Sequence, residues 1–357
     1  MMMIHTRMAK NPVGLKHHRK TKLMPRTSRL ISTLSLASLW QISCRLFLYG
    51  QSPTLTENAV PKCPTEAETL KEMLKLASVP TSNNQQEGIV FTTVTIGEKT
   101  RDHVEWVSNW YGQLQNVGVA HPIVFGIDDT GETCEIVRSL GICCRNFVPD
   151  DFLVAGELIP MATRDGMRPA SVDMKFFYAL ELLSHGYRIS FSDDDVFWFK
   201  HPFLDNEFGE DMRGLTDDMS AEDQHDGWSS KKCGLQYGSP CMSTGLWDIY
   251  PTKASIEFLQ GLLDGLRTTK IWEQELANKF LQKERQKIGQ KMLFWLFPKS
   301  THANVGVLDQ RIANGQPMNL SAVHLGYVHG KAKLEEYKKR GFWHPKNFSF
   351  PIMNSIE

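Results

Sequence analysis

Three consecutive aspartates, Asp193–Asp195, stand between two apolar segments in RISFSDDDVFWFKHPF (188–203). Both flanking segments are rich in aromatic and β-branched residues, so we expect them in the core, where they hold the carboxylates near it. Two carboxylates about 5 Å apart repel by roughly 3 kcal/mol at an effective dielectric constant of 20, and partial burial adds to that cost. A bound divalent cation would offset this charge, because carboxylate oxygens are the ligands that hard cations prefer.

Side-chain direction divides the three aspartates into two groups. Residues two apart in an extended segment point to the same side, so we expect Asp193 and Asp195 to form a metal-binding pair. Asp194 then points away from the metal and supports the pair from behind. An acidic turn on the surface is the alternative interpretation, and it would be favoured for an isolated run of aspartates. The apolar flanks favour the metal site here.

Strands and helices are predicted to alternate before the acidic run. Continuous β-branched runs predict strands, and apolar residues at helical spacing predict helices, in the order strand 88–96, helix 101–114, strand 121–127, helix 133–140, helix 172–184 and strand 187–191. This alternation is typical of an α/β domain with a parallel sheet flanked by helices. Ligands bind at the carboxyl ends of strands in such sheets, and Asp193–Asp195 follow one of those ends.

Composition narrows the class of protein. The chain has 357 residues, a formal net charge of zero, 41% hydrophobic residues and 22% charged residues. These values favour a globular fold and argue against global disorder and against a general nucleic-acid binder. The charge is unevenly distributed, because residues 1–56 contain nine basic residues and no acidic one.

The basic N-terminal part has the features of a targeting segment. Residues 1–29 are basic, and residues 30–49 are mostly apolar, carry no charge apart from Arg45 and are about as long as a membrane-spanning helix. Basic residues before an apolar segment keep that end in the cytosol. We therefore expect a basic cytosolic tail at 1–29, a signal-anchor at 30–49 and a lumenal body. A cleaved signal peptide and an organelle transit peptide are the alternatives.

Residues 50–87 are rich in Pro, Thr, Ser, Asn and Gln and are predicted as a stem or linker, with one short helical pattern at 66–77. The globular domain is predicted at 88–357. Six of the seven cysteines follow the anchor and could pair in an oxidising lumen, but the sequence does not determine the pairing. Asn319 and Asn347 begin glycosylation acceptor triplets, which is weak support for the secretory route.

The acidic run belongs to a longer ordered series of segments. Its members are MKFFYALELLSHGY (174–187), SFSDDDVFWFKHP (190–202), MSTGLWDIYPTKASIEFL (242–259), IWEQELANKFL (271–281) and VHLGYVHGKAKLEEYKKRGFW (323–343). This series resembles the nucleotide-diphospho-sugar transferases, and among them glycosyltransferase family seventy-seven, which includes plant and algal xylosyl-, arabinosyl- and galactosyltransferases. The resemblance covers about residues 88–343.

The resemblance implies a GT-A type catalytic domain at 88–357, with a Rossmann-like, mostly parallel twisted sheet flanked by helices. It also implies a metal-dependent transfer of a sugar from a nucleotide-diphosphate sugar, expected to be a UDP-sugar bound with Mn²⁺ or Mg²⁺. The acceptor would be a hydroxyl of a glycan or glycoprotein, with retention of the anomeric configuration. A single-pass type II protein of the Golgi membrane is the expected location, with a plastid or secreted protein as the alternatives.

Residue roles follow from the matching positions. The implied metal ligands are Asp193, Asp195 and His324, with His329 as a competing histidine. The implied nucleotide- and diphosphate-binding positions are Thr93, Asp128, Lys175, Asp194, Lys331 and Lys333. The implied catalytic positions, beside the transferred sugar, are Glu273 and Gln274.

Three positions depart from the family pattern on the sugar or acceptor side. Ser243 and Gly326 stand where asparagine is usual, and Glu273 replaces an aspartate. These differences leave open a non-catalytic sugar- or nucleotide-binding module with a degenerate site. A haloacid-type phosphatase is less favoured, because Phe197 occupies the position where that class needs Thr or Val.

Overall fold

The β-branched run that begins the predicted globular domain forms a central strand, β2 (Glu87–Val94). It is parallel to β3 (Ile123–Gly126) on one side and to β9 (Arg188–Ser192) on the other, and β3 is parallel to β4 (Cys144–Asn146). Strands of a parallel sheet are buried on both faces, which is why these segments are apolar without alternation. The predicted parallel strands are confirmed.

The structure is a computed structural model that describes residues 69–81, 87–96, 103–128, 130–146, 171–204, 209–217, 242–269, 271–286, 292–316, 319–326, 328 and 330–343, with four short strands between 153 and 168. All of these residues lie within the unit Val60–Glu357. The predicted tail, the signal-anchor, His329 and Asn347 lie outside them. Among the described residues, no helix has the length and apolar character needed to span a membrane.

Beyond β9 the sheet becomes antiparallel. β12 (Met242–Ile249) is antiparallel to β9 and to β11 (Met212–Thr216), and β11 is parallel to β13 (Phe294–Leu296). The strand order is β13-β11-β12-β9-β2-β3-β4, and β1 (Val79–Pro80) pairs with β2. The fold is therefore mixed α/β, with a central sheet that is rich in parallel pairs.

Helices cover both faces of this sheet. They are α1 (Leu70–Ala77), α2 (His103–Asn116), α3 (Glu132–Ser139), α4 (Ser171–Ser184), α5 (Lys253–Thr268) and α6 (Glu273–Gln286). α2 and α3 pack on one face, and α1, α4, α5 and α6 pack on the other. Side chains of β2 alternate between the two cores, because Ile89 and Phe91 belong to one and Val90 to the other.

A smaller sheet lies beside the acidic run. It consists of β10 (Val196–Trp198), β15 (Ala322–His324) and β14 (His302–Asn304) in that order. α7 (Val305–Ala313) and α8 (Gly330–Arg340) accompany it, and their apolar side chains form a third core with Trp106 of α2. This core fixes α8 relative to the central domain.

Four further strands between β4 and α4 are short. β5 (Leu153–Val154) pairs with β6 (Glu157–Leu158), and β7 (Met161–Thr163) pairs with β8 (Gly166–Arg168), both antiparallel. A disulfide joins Cys134 of α3 to Cys144 of β4. The sequence had left this pairing open.

Part of the predicted stem belongs to the folded body. α1 begins with a capping box, in which Thr69 Oγ1 accepts from the Glu72 N–H and the Glu72 carboxylate accepts from the Thr69 N–H. Met73, Leu74 and Ala77 are buried in the core on that face of the sheet. Because β1 also pairs with β2, the packed structure includes residues before position 88.

Candidate active site

The acidic run forms a tight turn at the end of β9. The Asp193 N–H donates to the Gly245 carbonyl at 2.8 Å, and the Val196 N–H donates to the Asp193 carbonyl at 3.1 Å. Directly before the turn, Ser192 Oγ accepts a hydrogen bond of 2.7 Å from the Trp110 indole N–H. Both the strand neighbour and the core therefore fix the backbone that carries the aspartates.

Strand pairing brings His324 to this turn from a distant part of the chain. β10 and β15 are antiparallel, and their register places Val196 opposite His324. His324 Nε2 lies 3.1 Å from Asp195 Oδ1 and 3.9 Å from Asp193 Oδ2. One potential ligand atom from each of the three residues lies within 4.8 Å of the others. The structure thus brings together the three side chains predicted as metal ligands.

The donor set fits a divalent cation. Asp195 Oδ1 is buried and makes no hydrogen bond to a described residue, although two other potential ligands face it. Its close contact is the His324 imidazole nitrogen at 3.1 Å, and a buried carboxylate oxygen of this kind has the capacity to bind a cation as well. Carboxylates suit Mn²⁺ and Mg²⁺, and the single imidazole favours the transition ion of the two.

Two glycines allow the imidazole to lie this close to the turn. A Cβ on Gly245 would come within 2.4 Å of His324 Cε1 and 2.8 Å of Asp193 Oδ2. A Cβ on Gly326 would come within 2.6 Å of the same ring carbon. A side chain at either position would therefore displace the imidazole, because the ring approaches the backbone so closely. The departure from asparagine at Gly326 has a local steric reason.

The three potential ligands differ in proton affinity. Burial, together with the neighbouring Asp195 carboxylate, raises the pKa of Asp193 to about 6. Burial acts to raise the pKa of Asp195 as well, but His324 and Lys333 hold it well below its usual range. Burial acts to lower the pKa of His324, but the two carboxylates raise it above its usual value. Asp195 therefore has the lowest proton affinity of the three.

The three residues line a cavity of about 530 Å³. It lies where β2 and β9 end, which is the usual position of ligand sites in sheets of this kind. The other lining residues are Thr93, Val94, Thr95, His103, Lys175, Asp194, Ser243, Thr244, Gly245, Trp272, Glu273, Gln274, Gly326 and Lys333. Nine of the eleven residues singled out from the sequence line this one cavity.

A buried polar cluster lies on another wall of the cavity. Lys175 Nζ of α4 lies 3.4 Å from Glu273 Oε1 at the start of α6, and the two side chains are only 6% and 4% exposed. Thr244 of β12 contacts both, at 3.2 Å from Lys175 Nζ and 3.0 Å from Glu273 Oε1. The lysine charge is thus matched by a carboxylate inside the protein.

Hydrogen bonds hold the start of α6 against β12. Gln274 Oε1 accepts from the Thr244 N–H at 3.1 Å, and Gln274 Nε2 donates to Asp217 Oδ2 at 2.9 Å. One turn later, the Asn278 side chain bonds both the N–H and the carbonyl of Met242, each at 2.9 Å. Gln274, predicted as catalytic, therefore has a structural contact on each side of its amide.

The cavity contains three further titratable side chains, which are Lys333 of α8, His103 of α2 and Asp194 of the turn after β9. Lys333 of α8 donates to Asp195 Oδ2. Asp194 points away from the three potential ligands, as its position in the run predicted, and its Oδ2 lies 2.8 Å from His103 Nδ1. The His103 ring, at the start of α2, is 42% exposed.

Two predicted residues do not line the cavity. The Asp128 carboxylate accepts from the backbone N–H groups of Gly131 and Thr133, so it caps the loop before α3 instead of facing a ribose. Lys331 is exposed, two residues before Lys333 on α8. Helical positions two apart do not share a face, which explains why only one of these lysines reaches the site.

The sequence analysis missed His103 and Thr244. Neither residue belongs to a motif with chemistry of its own, and each acts through a partner that is far away in sequence. The position of Thr244 next to Ser243, one of the departures from the family pattern, was the available signal.

Comparison with known proteins agrees with this geometry. A family model described as nucleotide-diphospho-sugar transferase matches residues 119–340, which is more than half of the chain. The chain belongs to this family. The predicted family is confirmed, and the transferase is a glycosyltransferase.

Individual relatives of the transferase are distant. Arabinosyltransferase RRA2 of Arabidopsis thaliana is 24% identical over 177 residues, which cover 47% of this chain and 39% of that protein. The match therefore spans about two fifths of the curated relative.

Two solved structures are also similar to it. The galactosyltransferase LgtC, in complex with donor and acceptor sugar analogues, is 12% identical with a TM-score of 0.46, over 71% of this chain and 93% of that chain. The glycosyltransferase GlyE of Streptococcus pneumoniae TIGR4 is 10% identical with a TM-score of 0.38, over 73% of this chain and 66% of that chain.

Proposed function

We propose that this transferase moves a sugar from a UDP-sugar to a hydroxyl of a glycan or glycoprotein, in a reaction that depends on Mn²⁺ or Mg²⁺ and retains the anomeric configuration. The observation that carries the proposal is the convergence of Asp193, Asp195 and His324 in the cavity. A set of two carboxylates and an imidazole at the end of a parallel strand suits a cation–diphosphate complex.

The difficult step is departure of the nucleotide diphosphate from the anomeric carbon, because negative charge accumulates on the leaving phosphate. When bound, a divalent cation supplies the charge that stabilises this leaving group. Asp193, Asp195 and His324 would hold that cation. Lys333, which reaches the same place from α8, would add a second positive charge.

The buried cluster at the start of α6 suits the transferred sugar. Glu273 is almost fully buried, lines the cavity and offers a carboxylate that can accept from a sugar hydroxyl. Lys175 Nζ, 3.4 Å from Glu273 Oε1, supplies a positive charge beside this carboxylate inside the protein. These contacts would orient the sugar before its bond to the diphosphate breaks.

The proposed transfer needs no separate general base. The bond between the anomeric carbon and the diphosphate oxygen breaks, and its electron pair stays on the phosphate. A new bond forms between the anomeric carbon and the acceptor oxygen, whose proton passes to the leaving diphosphate. Attack on the face from which the diphosphate departs retains the configuration, and a double displacement through a protein carboxylate would also retain it.

We further propose a GT-A type arrangement for the domain, anchored by residues 30–49 as a type II protein in the Golgi membrane. The mixed sheet and the position of the cavity support the first part, and the basic, then apolar N-terminal sequence supports the second. Fluorescence microscopy of the full-length chain against Golgi and plastid markers tests the location. A plastid signal would favour the transit-peptide alternative.

Donor hydrolysis by the purified full-length chain tests the reaction. UDP-arabinose, UDP-xylose, UDP-galactose and UDP-glucose are offered with Mn²⁺, with Mg²⁺ and with EDTA, and released UDP is measured. We expect release from at least one donor, lost with EDTA and reduced at least about a hundredfold in Asp195→Asn. The matched control is Asp264→Asn, at an aspartate that is 75% exposed on α5.

The alternatives give different results. A binding module would bind a UDP-sugar with Mn²⁺ by calorimetry but release no UDP. A phosphatase would release phosphate from p-nitrophenyl phosphate, and Asp195→Asn would abolish that release. Binding that is unchanged by EDTA would contradict the metal site.

A further inference from the structure

Thr244 belongs to a cluster of three polar side chains in which two groups contact one oxygen of Glu273. Its Oγ1 is 3.2 Å from Lys175 Nζ and 3.0 Å from Glu273 Oε1, and Lys175 Nζ is 3.4 Å from the same Oε1. α4, β12 and α6 each contribute one of these side chains. The contacts form a closed triangle inside the protein, at the wall of the cavity.

The chemistry of the groups fixes the direction of each hydrogen bond. An ammonium has only donors and an ionised carboxylate has only acceptors. The Thr244 hydroxyl therefore accepts from Lys175 and donates its single proton to Glu273 Oε1 at 3.0 Å, which is closer than the other acceptor, Gln274 Oε1, at 3.5 Å. The hydroxyl acts as a donor and as an acceptor at the same time, so a methyl group of the same shape cannot replace it.

The triangle leaves the two oxygens of Glu273 in different states. Oε1 takes hydrogen bonds from Thr244 and Lys175, whereas Oε2 is buried and makes no hydrogen bond to a described residue. A buried carboxylate oxygen without a donor is unusual and calls for one. Because Glu273 lines the cavity, a hydroxyl of the bound molecule is a donor of the right kind.

We propose that Thr244 is a positioning residue, which locks Glu273 by Oε1 so that Oε2 accepts from a hydroxyl of the sugar in the donor. The inference rests on the proposed function, since the ligand hydroxyl belongs to the sugar that is transferred. Thr244 acts through Glu273 and does not touch the sugar.

Thr244→Val isolates this role because it removes only the hydroxyl. The Thr244 N–H still donates to Gln274, and Asn278 still bonds both backbone groups of Met242, so β12 and α6 stay joined. Without the hydroxyl, Glu273 gains freedom to turn about its side-chain bonds. We expect kcat for donor hydrolysis to fall between about tenfold and a hundredfold, with KM for the donor within about twofold.

Two further variants separate positioning from folding. Thr244→Ser keeps a hydroxyl at the same atom and should restore most of kcat. Thr92→Val makes the same change at a buried strand residue of β2 that does not line the cavity and whose hydroxyl makes no hydrogen bond to a described residue. It should keep wild-type kcat. In a Glu273→Gln background, Thr244→Val should add little, because both changes act on one contact.

The experiment measures UDP release from the four donors with Mn²⁺, and calorimetry measures the affinities of UDP and of each UDP-sugar. Wild-type kcat in Thr244→Val, or no recovery in Thr244→Ser, overturns the inference. A wild-type chain that cleaves no donor contradicts the proposed function, and affinity then decides the inference. Thr244→Val should abolish the extra affinity that the sugar adds to UDP. The inference is overturned if Thr244→Val keeps the wild-type difference in affinity between a UDP-sugar and UDP. It is also overturned if the wild type shows no such difference.

Discussion

The two ends of the cavity are built in different ways. At the metal end (Asp193, Asp195 and His324), the backbone places each side chain, through the turn after β9 and the register between β10 and β15. At the sugar end (Lys175, Thr244 and Glu273), α4, β12 and α6 each send one side chain into a shared cluster. One end depends on strand pairing and the other on hydrogen bonds between side chains.

This difference decides how each end responds to substitution. Side chains that strand register places should keep their positions when a neighbouring charge changes. At the metal end, however, the close packing leaves no room for an added methyl group on the neighbouring glycines. A cluster of buried polar groups accepts small changes of shape but loses its arrangement when one charge is removed, because its members depend on each other. The metal end should therefore be sensitive to volume and the sugar end to charge.

The largest effect is expected from Lys175→Met at the sugar end. The substitution keeps the length of the side chain but leaves the Glu273 carboxylate buried without its cation. Breaking a buried ion pair on one side costs about 3–5 kcal/mol in the free energy of unfolding. Urea denaturation of the wild type and the variant measures this loss.

The double variant Lys175→Met/Glu273→Gln is the control for that prediction. It removes both charges, so we expect it to recover a large part of the stability that Lys175→Met loses. A double variant that is less stable than Lys175→Met would show that the loss comes from packing around the lysine, and the sugar end would not be a charge-dependent cluster.

At the metal end, Gly245→Ala should act through volume alone. The added methyl group would overlap His324 Cε1 and Asp193 Oδ2, so the ring must move away from the two carboxylates. We expect the affinity for Mn²⁺ to fall about tenfold to a hundredfold, which is typical when the surroundings of a ligand are disturbed. Calorimetry with Mn²⁺ measures the change, and Gly209→Ala is the control, because a Cβ at this glycine meets no atom within 4 Å. Unchanged Mn²⁺ affinity in Gly245→Ala would mean that the imidazole is not held by this packing.

The sequence predicted the metal end better than the sugar end. Asp193 and Asp195 directly follow a buried strand, so their place was predictable from the sequence, although the two side chains converge through the turn after β9 and not through a continued strand. His324 was available only through the family resemblance, since the register of β10 with β15 joins residues far apart in the chain. The core strands and the helices α2, α3 and α4 follow from local apolar periodicity in the same way.

The sugar end was less readable because side-chain pairing has no local pattern. Lys175, Thr244 and Glu273 meet through tertiary packing, and Thr244 looks like an ordinary strand residue in the sequence. Asp128 was predicted near the nucleotide, and in the structure its carboxylate accepts from the backbone before α3, because an aspartate after a strand serves equally well as the cap of the next helix. Lys331 and Lys333 of α8 have the same sequence surroundings, and only their positions around the helix separate them.

The small sheet that carries His324 should lose stability in acid. His302 of β14 is fully buried beside Ala322 of β15, and burial, with the charges of Arg213 and Lys200, lowers its pKa from 6.5 to about 3. Between these values the unfolded chain binds a proton that the folded chain does not. The stabilisation is therefore complete above about pH 6.5 and decreases as the pH falls, by about 2 kcal/mol at pH 5.

His302→Asn tests this contribution. The difference in the free energy of unfolding between pH 7 and pH 5 should be about 2 kcal/mol smaller in the variant than in the wild type. His185→Asn, at a partly exposed histidine after α4, should keep the wild-type difference. Equal pH dependence in the wild type and His302→Asn would place the acid sensitivity elsewhere in the protein.

The smallest effect separates two lysines that the sequence treated alike. Lys333 contacts Asp195 and lines the cavity, whereas Lys331 is exposed on another side of α8. Removing one charged contact to a diphosphate costs about 1.4 kcal/mol, so Lys333→Met should weaken UDP binding in the presence of Mn²⁺ about tenfold. Lys331→Met should change it less than about twofold, because an exposed charge is screened by solvent and salt.

Binding of Mn²⁺ alone should not weaken in Lys333→Met, since the variant removes a group that shares Asp195 with the cation. Equal losses of UDP affinity in the two variants would mean that α8 attracts the diphosphate by its overall charge, and the metal end would then extend beyond the residues that strand pairing places.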